Sequence, residues 1–417
     1  MQAWRNIGDW YSMRRKTVVL IACILPLCLR AQNPTGMINP PATEVKDTSG
    51  QKDLVEILLK ASHIHLKKTP RIEGRRVYYS LVPLSLSVPG GGAALVTATQ
   101  AGFYLGDRKT TYLSNITFSP STNFKGQFVI PFRSNVWAAG NAWNFQGDTR
   151  FSIFPQYSWG LGGSQTEKQL IRYSYLRFYH AALKRIKPYL FAGIGYDLDY
   201  HIHIHPDIDS VNLQKFTAYN YGTANHSNSF SSGITFNLLY DSRTNSINPL
   251  PGFYYDFIYR VNPRFLGSDD WWHSLYLDAR KYIPFGHKGQ NVLALWTYYW
   301  TILGTHAPYL DLPAIGGDAN GRSGRGFYPG RYTGKTLWYL EAEYRRDITA
   351  NGLFGFVVFS NLNTVTEPDN HQFAYPHPAI GTGLRIKFNK RTGTNIGIDV
   401  AASKGYSAIY LSLGEAF

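Results

Sequence analysis

The stretch LWYLEAEYR, residues 337–345, alternates apolar and charged side chains with a period of two. Side chains of an extended strand point alternately to its two faces, so each class occupies one face. The apolar face holds Trp338, Leu340, Ala342 and Tyr344, and the charged face holds Glu341, Glu343 and Arg345. The stretch therefore predicts a β-strand with one face suited to lipid and the other to a wet interior.

The same alternation recurs from about residue 76 to the C-terminus, in segments separated by Gly, Asn, Asp and Pro clusters. Examples are PLSLSV (83–88), SLYLDAR (274–280), GLRIKF (383–388) and NIGIDVA (395–401). This pattern of alternating segments between turn-forming residues predicts an all-β chain of antiparallel strands. An antiparallel sheet packed on one side gives the same alternation, so the pattern alone does not require a membrane.

Composition favours the membrane form of this sheet. Charged residues make up 17% of the 417 positions and aromatic residues 15%, whereas soluble proteins average about 25% charge. The aromatic excess suits the girdles at the two interfaces of a transmembrane β-barrel. The chain ends in AIYLSLGEAF, which predicts a terminal strand whose apolar face carries Ile409, Leu411, Leu413 and Phe417, interrupted by Glu415.

These observations predict a transmembrane antiparallel β-barrel over residues 76–417. Division of about 342 residues by about 21 per strand and connection gives sixteen strands, and twelve or fourteen strands with longer loops also fit. Residues 1–31 predict a signal peptide, with basic residues before a short apolar run. Residues 32–75 predict a polar periplasmic linker, in which DLVEILLKASHI (53–64) forms a short helix.

Charge and cysteine content limit the kinds of metal site and of binding partner that we expect. Both cysteines, Cys23 and Cys28, lie in the predicted signal peptide, so thiolate metal sites and disulfides are not expected in the mature chain. The formal net charge is +15, of which residues 1–31 contribute +4, leaving +11. That excess suits outer-membrane lipid and lipopolysaccharide. Export argues against nucleic acid as the partner.

Several motifs carry a family resemblance. The segment LPAIGGDANGRSGRGFYPGRYTGKTLWYLEAEYR (312–345) resembles the part of the BamA/TamA superfamily of outer-membrane barrels (the bacterial surface antigen family) where a long extracellular loop bears an Arg-Gly-Phe/Tyr motif. YDSRTNSINPLPGFYYDF (240–257) resembles that family's strand–turn–strand signature, and AIGTGLRIKF with the C-terminal 21 residues resembles its last two strands. In the signature the matching residues are Asp241, Arg243, Asn245, Pro249 and Gly252.

The resemblance predicts that the loop folds into the barrel lumen, where Arg325, Gly326 and Phe327 form its motif. Strand parity makes Glu341, Glu343 and Asp399 the expected partners of Arg325, because bidentate Arg–carboxylate bonds are strong in a desolvated space. A competing interpretation leaves Arg325 in a mobile surface loop without a partner.

By the same resemblance, the barrel takes part in inserting or translocating proteins or lipids at the bacterial outer membrane. Two departures weaken this expectation: residues 32–75 are too few for a periplasmic POTRA module, and Ser360 and Asn361 stand where relatives often place an Asp before a Gly. Client proteins and periplasmic or lipoprotein accessory subunits are then the expected partners. The alternative is a passive channel or structural barrel that has lost assembly activity.

Enzymatic and cofactor-dependent roles find little support. The sequence contains neither a G-x-S-x-G elbow nor H-E-x-x-H, and GRGFYPG (324–330) fits neither a dinucleotide loop nor a P-loop. HIHIH places His201, His203 and His205 on one face of an ideal strand. Same-face neighbours lie about 6–7 Å apart, which is long for three ligands of one ion. We therefore expect no enzyme activity, no cofactor and no metal, with these histidines on a polar loop or lumen face.

Overall fold

The computed structural model describes residues 50–61, 77–88, 92–123, 127–153, 155–243, 245–249, 251–286, 291–319 and 321–417. The predicted signal peptide and most of the predicted linker lie outside these residues. The side chains of PLSLSV also lie outside what is described.

Two short α-helices occur in the described chain, α1 (Leu54–Ala61) and α2 (Leu213–Thr217). The first lies within the stretch 53–64 predicted as helical, and Asp53 caps it by accepting a hydrogen bond from the Glu56 backbone N–H at 2.8 Å. The other oxygen of Asp53 accepts the backbone N–H of Lys390 at 2.9 Å, which ties α1 to the turn at 390–393. None of the helices in the described part of the chain has the length and apolarity to cross a membrane.

Strands dominate the rest of the fold. They are β1 (Tyr78–Val88), β2 (Gly92–Phe103), β3 (Ser114–Phe118), β4 (Ser121–Asn123), β5 (Phe128–Trp137), β6 (Trp143–Ile153), β7 (Gln156–Ser158), β8 (Gln169–Lys187), β9 (Leu190–Pro206), β10 (Ser227–Asp241), β11 (Gly252–Asn262), β12 (Trp272–Phe285), β13 (Asn291–Leu303), β14 (Thr336–Asp347), β15 (Phe354–Val365), β16 (His377–Asn389), β17 (Thr394–Ser403) and β18 (Tyr406–Leu413).

The eighteen strands form one sheet in which chain neighbours pair antiparallel. Two interruptions modify the simple meander: β3 and β4 both lie between β2 and β5, and β6 and β7 both pair with β8. In such a meander alternate connections lie at the same edge of the sheet. One edge, here called the long-loop edge, carries the connections 159–168, 207–226, 304–335 and 366–376. The other, the short-turn edge, carries turns such as 188–189, 348–353 and 390–393.

The sheet buries its charges and exposes its apolar side chains. On β14, Trp338 is 43% exposed whereas Glu343 is 0% exposed, as the alternation in LWYLEAEYR predicts. Large apolar side chains on the outward face of other strands are likewise exposed, among them Ile194, Phe236, Leu277, Ile380, Val400 and Ile409. This arrangement is the reverse of a soluble protein's and matches a sheet whose outer face meets lipid.

A long connection, residues 304–335, covers the other face of the sheet and is called the arginine loop below. It meets strands that are far apart in sequence: the Ala319 carbonyl accepts from Arg150 on β6 at 2.7 Å, and Asp311 accepts from Ser231 on β10 at 2.6 Å. Further along, Arg325 donates to Asp399 on β17 at 2.7 Å. The sheet therefore curves around the loop, and the covered face is its inner face.

The last four residues do not extend the final strand. β18 ends at Leu413, and Gly414 then turns the chain with φ 83°. Phe417 lies buried, with its ring 5.1 Å from that of Trp296, an inner-face residue of β13. The expected apolar stripe from Ile409 to Phe417 is therefore wrong, because the positive φ at Gly414 ends the period-two alternation and turns the tail inward.

Candidate functional site

The arginine loop is held to the inner face at several points before it reaches its motif. Tyr309 and Ser158 share a hydroxyl–hydroxyl hydrogen bond of 2.7 Å near the loop's start. Near its end, the Gly162 backbone N–H donates to the Thr333 carbonyl at 2.9 Å, and Thr333 also bridges Ala314. These bonds join the two ends of the loop to each other and to the long-loop edge. The motif residues lie in the part of the loop between them.

Arg325 lies among three carboxylates. Its Nη1 donates to Asp399 Oδ2 at 2.7 Å, and its Nη2 donates to Glu341 Oε1 and to Glu343 Oε2. Glu341 and Glu343 occupy adjacent inward positions of β14, and Asp399 lies inward on β17. The structure therefore brings together Arg325 and all three carboxylates that strand parity selects.

Other contacts fix the plane of the guanidinium and the backbone that carries it. The Arg325 guanidinium carbon lies 3.4 Å from the centre of the Phe359 ring, so the group stacks on an aromatic face. Asn361 donates its side-chain amide to the Arg325 carbonyl at 2.8 Å, and Tyr410 accepts the Gly326 backbone N–H at 2.8 Å. Asn361, which together with Ser360 departs from the family pattern, thus binds the motif's backbone.

Gly326 has a geometric reason to be glycine. Its φ is 97°, and a Cβ built there would lie 2.9 Å from the Cβ of Ala379. The following residue, Phe327, is buried with its ring edge-on to Tyr332 at 5.6 Å. The motif thus combines a cation, a close backbone approach and an apolar anchor.

The carboxylates also bind further arginines. Arg345 donates to Glu343 at 2.6 Å, and Arg385 donates to Glu415 at 2.7 Å and to Asp399. We call this set the charge cluster: Arg325, Arg345, Arg385, Glu341, Glu343, Asp399 and Glu415. Because every member is buried, each ion depends on its neighbours for the solvation that water would otherwise supply.

The carboxylates of the charge cluster determine the protonation state of Arg325. Burial opposes the charged form of Arg325, but Glu341, Glu343 and Asp399 outweigh it and raise the pKa of Arg325 well above its ordinary value. The guanidinium is therefore cationic at every physiological pH. The contact is an electrostatic clamp between the arginine loop and the inner face of the sheet.

The C-terminal tail completes the charge cluster. Glu415 accepts from Asn395 at 2.6 Å in addition to Arg385, and the main-chain oxygen of Phe417 accepts from Arg345 at 2.9 Å. A second loop arginine, Arg322, donates to the carbonyls of Glu415 and Leu413. The loop that starts at the long-loop edge and the tail that ends near the short-turn edge therefore meet inside.

The predicted strand–turn motif forms a second site at the short-turn edge. Arg243 binds Asp241 with two hydrogen bonds of 2.8 Å, and its guanidinium lies over Tyr254. Asn245 donates to the Thr392 carbonyl at 2.8 Å, which links this turn to the turn at 390–393. At Gly252 (φ 151°) a Cβ would lie 2.7 Å from the Ser242 carbonyl oxygen.

Pro249, the remaining residue of the motif, is buried in the same turn. Beside it, the Ile247 carbonyl accepts the Glu415 backbone N–H at 3.1 Å. The strand–turn motif therefore also supports the C-terminal tail.

The histidines of HIHIH do not share one face. A β-bulge at this end of β9 breaks the alternation, since Tyr173 of β8 lies opposite two residues of β9. His201 turns inward and lies 3.6 Å from Asp311, whereas His203 and His205 lie with His226, the residue directly before β10, at the long-loop edge. The expected three-histidine face is therefore wrong, because it assumed an unbroken strand.

Sequence reasoning missed the residues that complete the charge cluster and the motif's supports. Arg345 and Arg385 occupy inward positions of their strands, as the carboxylates do. The same period-two rule that identified the carboxylates could therefore have identified these two arginines. Sequence reasoning could not have identified Phe359, which stacks on Arg325, or Tyr410, which binds the motif's backbone. Both contacts depend on the register between neighbouring strands.

An inward-folded loop that is clamped to the inner face of a sheet with exposed apolar and buried charged residues defines a class of lipid-facing β-sheet proteins. Residues 115–417 match the Omp85 superfamily domain. The chain belongs to the Omp85 superfamily. N-terminal to the sheet, the described residues contain α1 and no POTRA module.

Solved structures of two CdiB proteins agree with this fold. CdiB from Acinetobacter baumannii is 12% identical with a TM-score of 0.53, over 81% of this chain and 60% of that chain. CdiB from Escherichia coli is 11% identical with a TM-score of 0.54, over 82% and 63%. BamA from Haemophilus ducreyi lacking POTRA domains 1-3 is 12% identical with a TM-score of 0.49, over 82% and 74%.

This chain thus spans less than two thirds of the CdiB chains it matches. At these identities the likeness supports the fold alone. No curated protein sequence matches the chain.

Proposed function

We propose that the protein is a sixteen-pass transmembrane β-barrel of the bacterial outer membrane. Counting β3 with β4 and β6 with β7 as single interrupted passes reduces the eighteen strands to sixteen. An even number of passes places the start of the first strand and the end of the last strand on one side of the membrane, as in bacterial outer-membrane barrels. The exposed apolar outer face and the curvature around the arginine loop support closure.

We further propose that this barrel takes part in inserting or translocating proteins at the outer membrane, without enzymatic chemistry. The observation that carries the proposal is the buried contact of Arg325 with Glu341, Glu343 and Asp399 in a chain of the Omp85 superfamily. The clamp anchors the long loop inside, so that the wall keeps its shape while one part of it moves. Strands away from the clamp are then free to open towards lipid or substrate.

Accessory subunits belong to this proposal. A barrel that handles unfolded clients needs a periplasmic surface to receive them, and α1 with the short-turn edge offers little such surface among the described residues. We propose that periplasmic or lipoprotein subunits supply it, and that the basic excess of the chain contacts lipopolysaccharide.

Depletion of the protein in its native cell tests the assembly role. We expect other outer-membrane barrels to fall in abundance and to accumulate unfolded, measured by quantitative proteomics and by heat-modifiable mobility. Solute uptake alone would change if the protein were a passive channel. Unchanged barrel levels and unchanged secretion would rule out the assembly role.

Crosslinking and mass spectrometry in the native membrane test the proposed subunits. We expect crosslinks from lysines at the short-turn edge, such as the exposed Lys187, to a periplasmic protein. Crosslinks confined to this chain would contradict the need for a receiving subunit.

A further inference from the structure

Three histidine rings converge at the long-loop edge, outside the charge cluster. One ligand nitrogen from each of His203, His205 and His226 lies within 4.8 Å of the others. The ring centres of His203 and His205 are 5.0 Å apart, and those of His203 and His226 are 5.3 Å apart. Sequence spacing alone could not show this, because His226 comes from the far end of the 207–226 connection.

The backbone holds these histidines in an unusual conformation. His203 has φ 59° and His226 has φ 61°, both in the left-handed region that residues other than glycine adopt uncommonly, although histidine does so more often than most. Hydrogen bonds retain these conformations: the His203 N–H donates to Asn228 Oδ1 at 2.8 Å, and the His226 N–H donates to the Ile204 carbonyl at 2.7 Å. Such strain persists where the surroundings fix it, and it concentrates at functional sites.

A backbone hydrogen bond fixes the tautomer of one ring. Nδ1 of His205 lies 2.8 Å from the His203 carbonyl oxygen, so that this nitrogen carries the proton and donates it. Nε2 of His205 then has a free lone pair. A ring nitrogen fixed by a backbone carbonyl is the usual second contact of a metal-bound histidine.

The distances are compatible with one ion. Tetrahedral Zn²⁺ with Zn–N bonds of about 2.0–2.1 Å requires nitrogens about 3.4 Å apart. The nitrogens must therefore approach one another from within 4.8 Å, and the side chains of His203 and His226 are both exposed, with little surrounding protein to oppose a rotation. The exposed side leaves room for a fourth ligand from water.

We propose that His203, His205 and His226 bind a divalent transition-metal ion such as Zn²⁺, at a site that joins the two ends of the 207–226 connection. Three neutral imidazoles suit Zn²⁺, Cu²⁺ or Ni²⁺, whereas Mg²⁺ and Ca²⁺ prefer oxygen ligands. The ion would close a loop whose ends belong to β9 and β10. Its binding would stabilise that part of the long-loop edge.

Zinc titration of the full chain in detergent micelles, with any affinity tag removed and metal stripped by chelator, tests the site. We expect one equivalent of Zn²⁺ to bind the wild type, and His226→Gln and His203→Gln each to weaken binding by about tenfold or more. His371→Gln, an exposed histidine with φ 57° outside the cluster, is the matched control and should bind as the wild type does. Mg²⁺ should not compete.

A second measurement reports on the place of binding. Zn²⁺ should slow proteolysis within residues 207–226 in the wild type and in His371→Gln, but not in His226→Gln. Heat-modifiable mobility establishes that each variant is folded. The proposal is overturned if the wild type shows no saturable zinc binding, or if all the variants bind zinc equally.

Discussion

Arg325 shows how one guanidinium group can hold a loop of about thirty residues inside a sheet. Two of its nitrogens reach three carboxylates on two strands, β14 and β17, while its plane stacks on Phe359. A lysine ammonium is a compact point charge and cannot bridge carboxylates in this planar arrangement. The residue type is therefore set by the geometry of its partners as well as by their charge.

Replacement of Arg325 should destabilise the folded barrel, and more strongly when both the positive charge and the planar guanidinium are lost than when the charge is kept. We expect Arg325→Ala to cost about 3–5 kcal/mol, because it leaves buried carboxylates uncompensated, and Arg325→Lys to cost an intermediate amount. The temperature at which the folded band converts on semi-native gels measures the effect. Arg264→Lys, at an exposed ion pair, is the control. A melting temperature for Arg325→Lys equal to that of the wild type would show that charge alone matters.

The partner carboxylates provide a further test at the same scale. In the Arg325→Ala background, Glu341→Gln removes a charge that has lost its cation, while Tyr339 still donates to the remaining amide oxygen. We expect the double variant to be more stable than Arg325→Ala alone, measured by the same gel assay. A further loss of stability would mean that Glu341 acts through contacts other than Arg325.

Gly326→Ala should disturb the loop for steric reasons. The positive φ of 97° costs about 1–2 kcal/mol for alanine, and the 2.9 Å approach of its Cβ to Ala379 adds about 1–3 kcal/mol of overpacking. Gly304→Ala is a control in the same loop, with φ 110° and open space around the Cβ. Equal losses of thermal stability in the two variants would contradict a close approach at Gly326.

At the scale of elements, the loop and the C-terminal tail meet through Glu415. Glu415→Gln should release the tail, because Arg385 would lose one of its carboxylate partners in a buried setting. We expect a lower melting temperature and faster removal of Phe417 by carboxypeptidase. The exposed Glu167→Gln is the control. A tail equally resistant in both variants would show that the packing of Phe417 on Trp296 suffices.

Strand alternation predicted the all-β fold, and parity selected the carboxylates around Arg325, because both follow from a local rule of period two. The β9 bulge and the inward turn at Gly414 break that rule. Each depends on backbone dihedral angles that the residue pattern does not specify: nothing in HIHIH marks the left-handed φ at His203, and nothing in LSLGEAF distinguishes a turn at Gly414 from a glycine in the strand. The errors at His201 and Phe417 follow from these two points.

At the scale of the whole molecule, the interior of the proposed barrel is occupied from both ends, by the arginine loop and by the tail. We expect the wild type in planar bilayers to conduct ions poorly, and replacement of residues 309–331 by a short Gly-Ser linker to raise the conductance strongly. A wild-type conductance as large as that of the deletion variant would contradict an occupied lumen and would favour the passive channel.

The position of Glu415 after β18 has a consequence for biogenesis. A ribosome makes a chain from its N-terminus, so Arg385 exists before Glu415, which follows 30 residues later and binds its guanidinium. Until Glu415 is in place, a buried Arg385 lacks one of the two carboxylates to which it donates hydrogen bonds. The order of these residues in the chain therefore couples the favourable burial of charge to synthesis of the segment beyond β18.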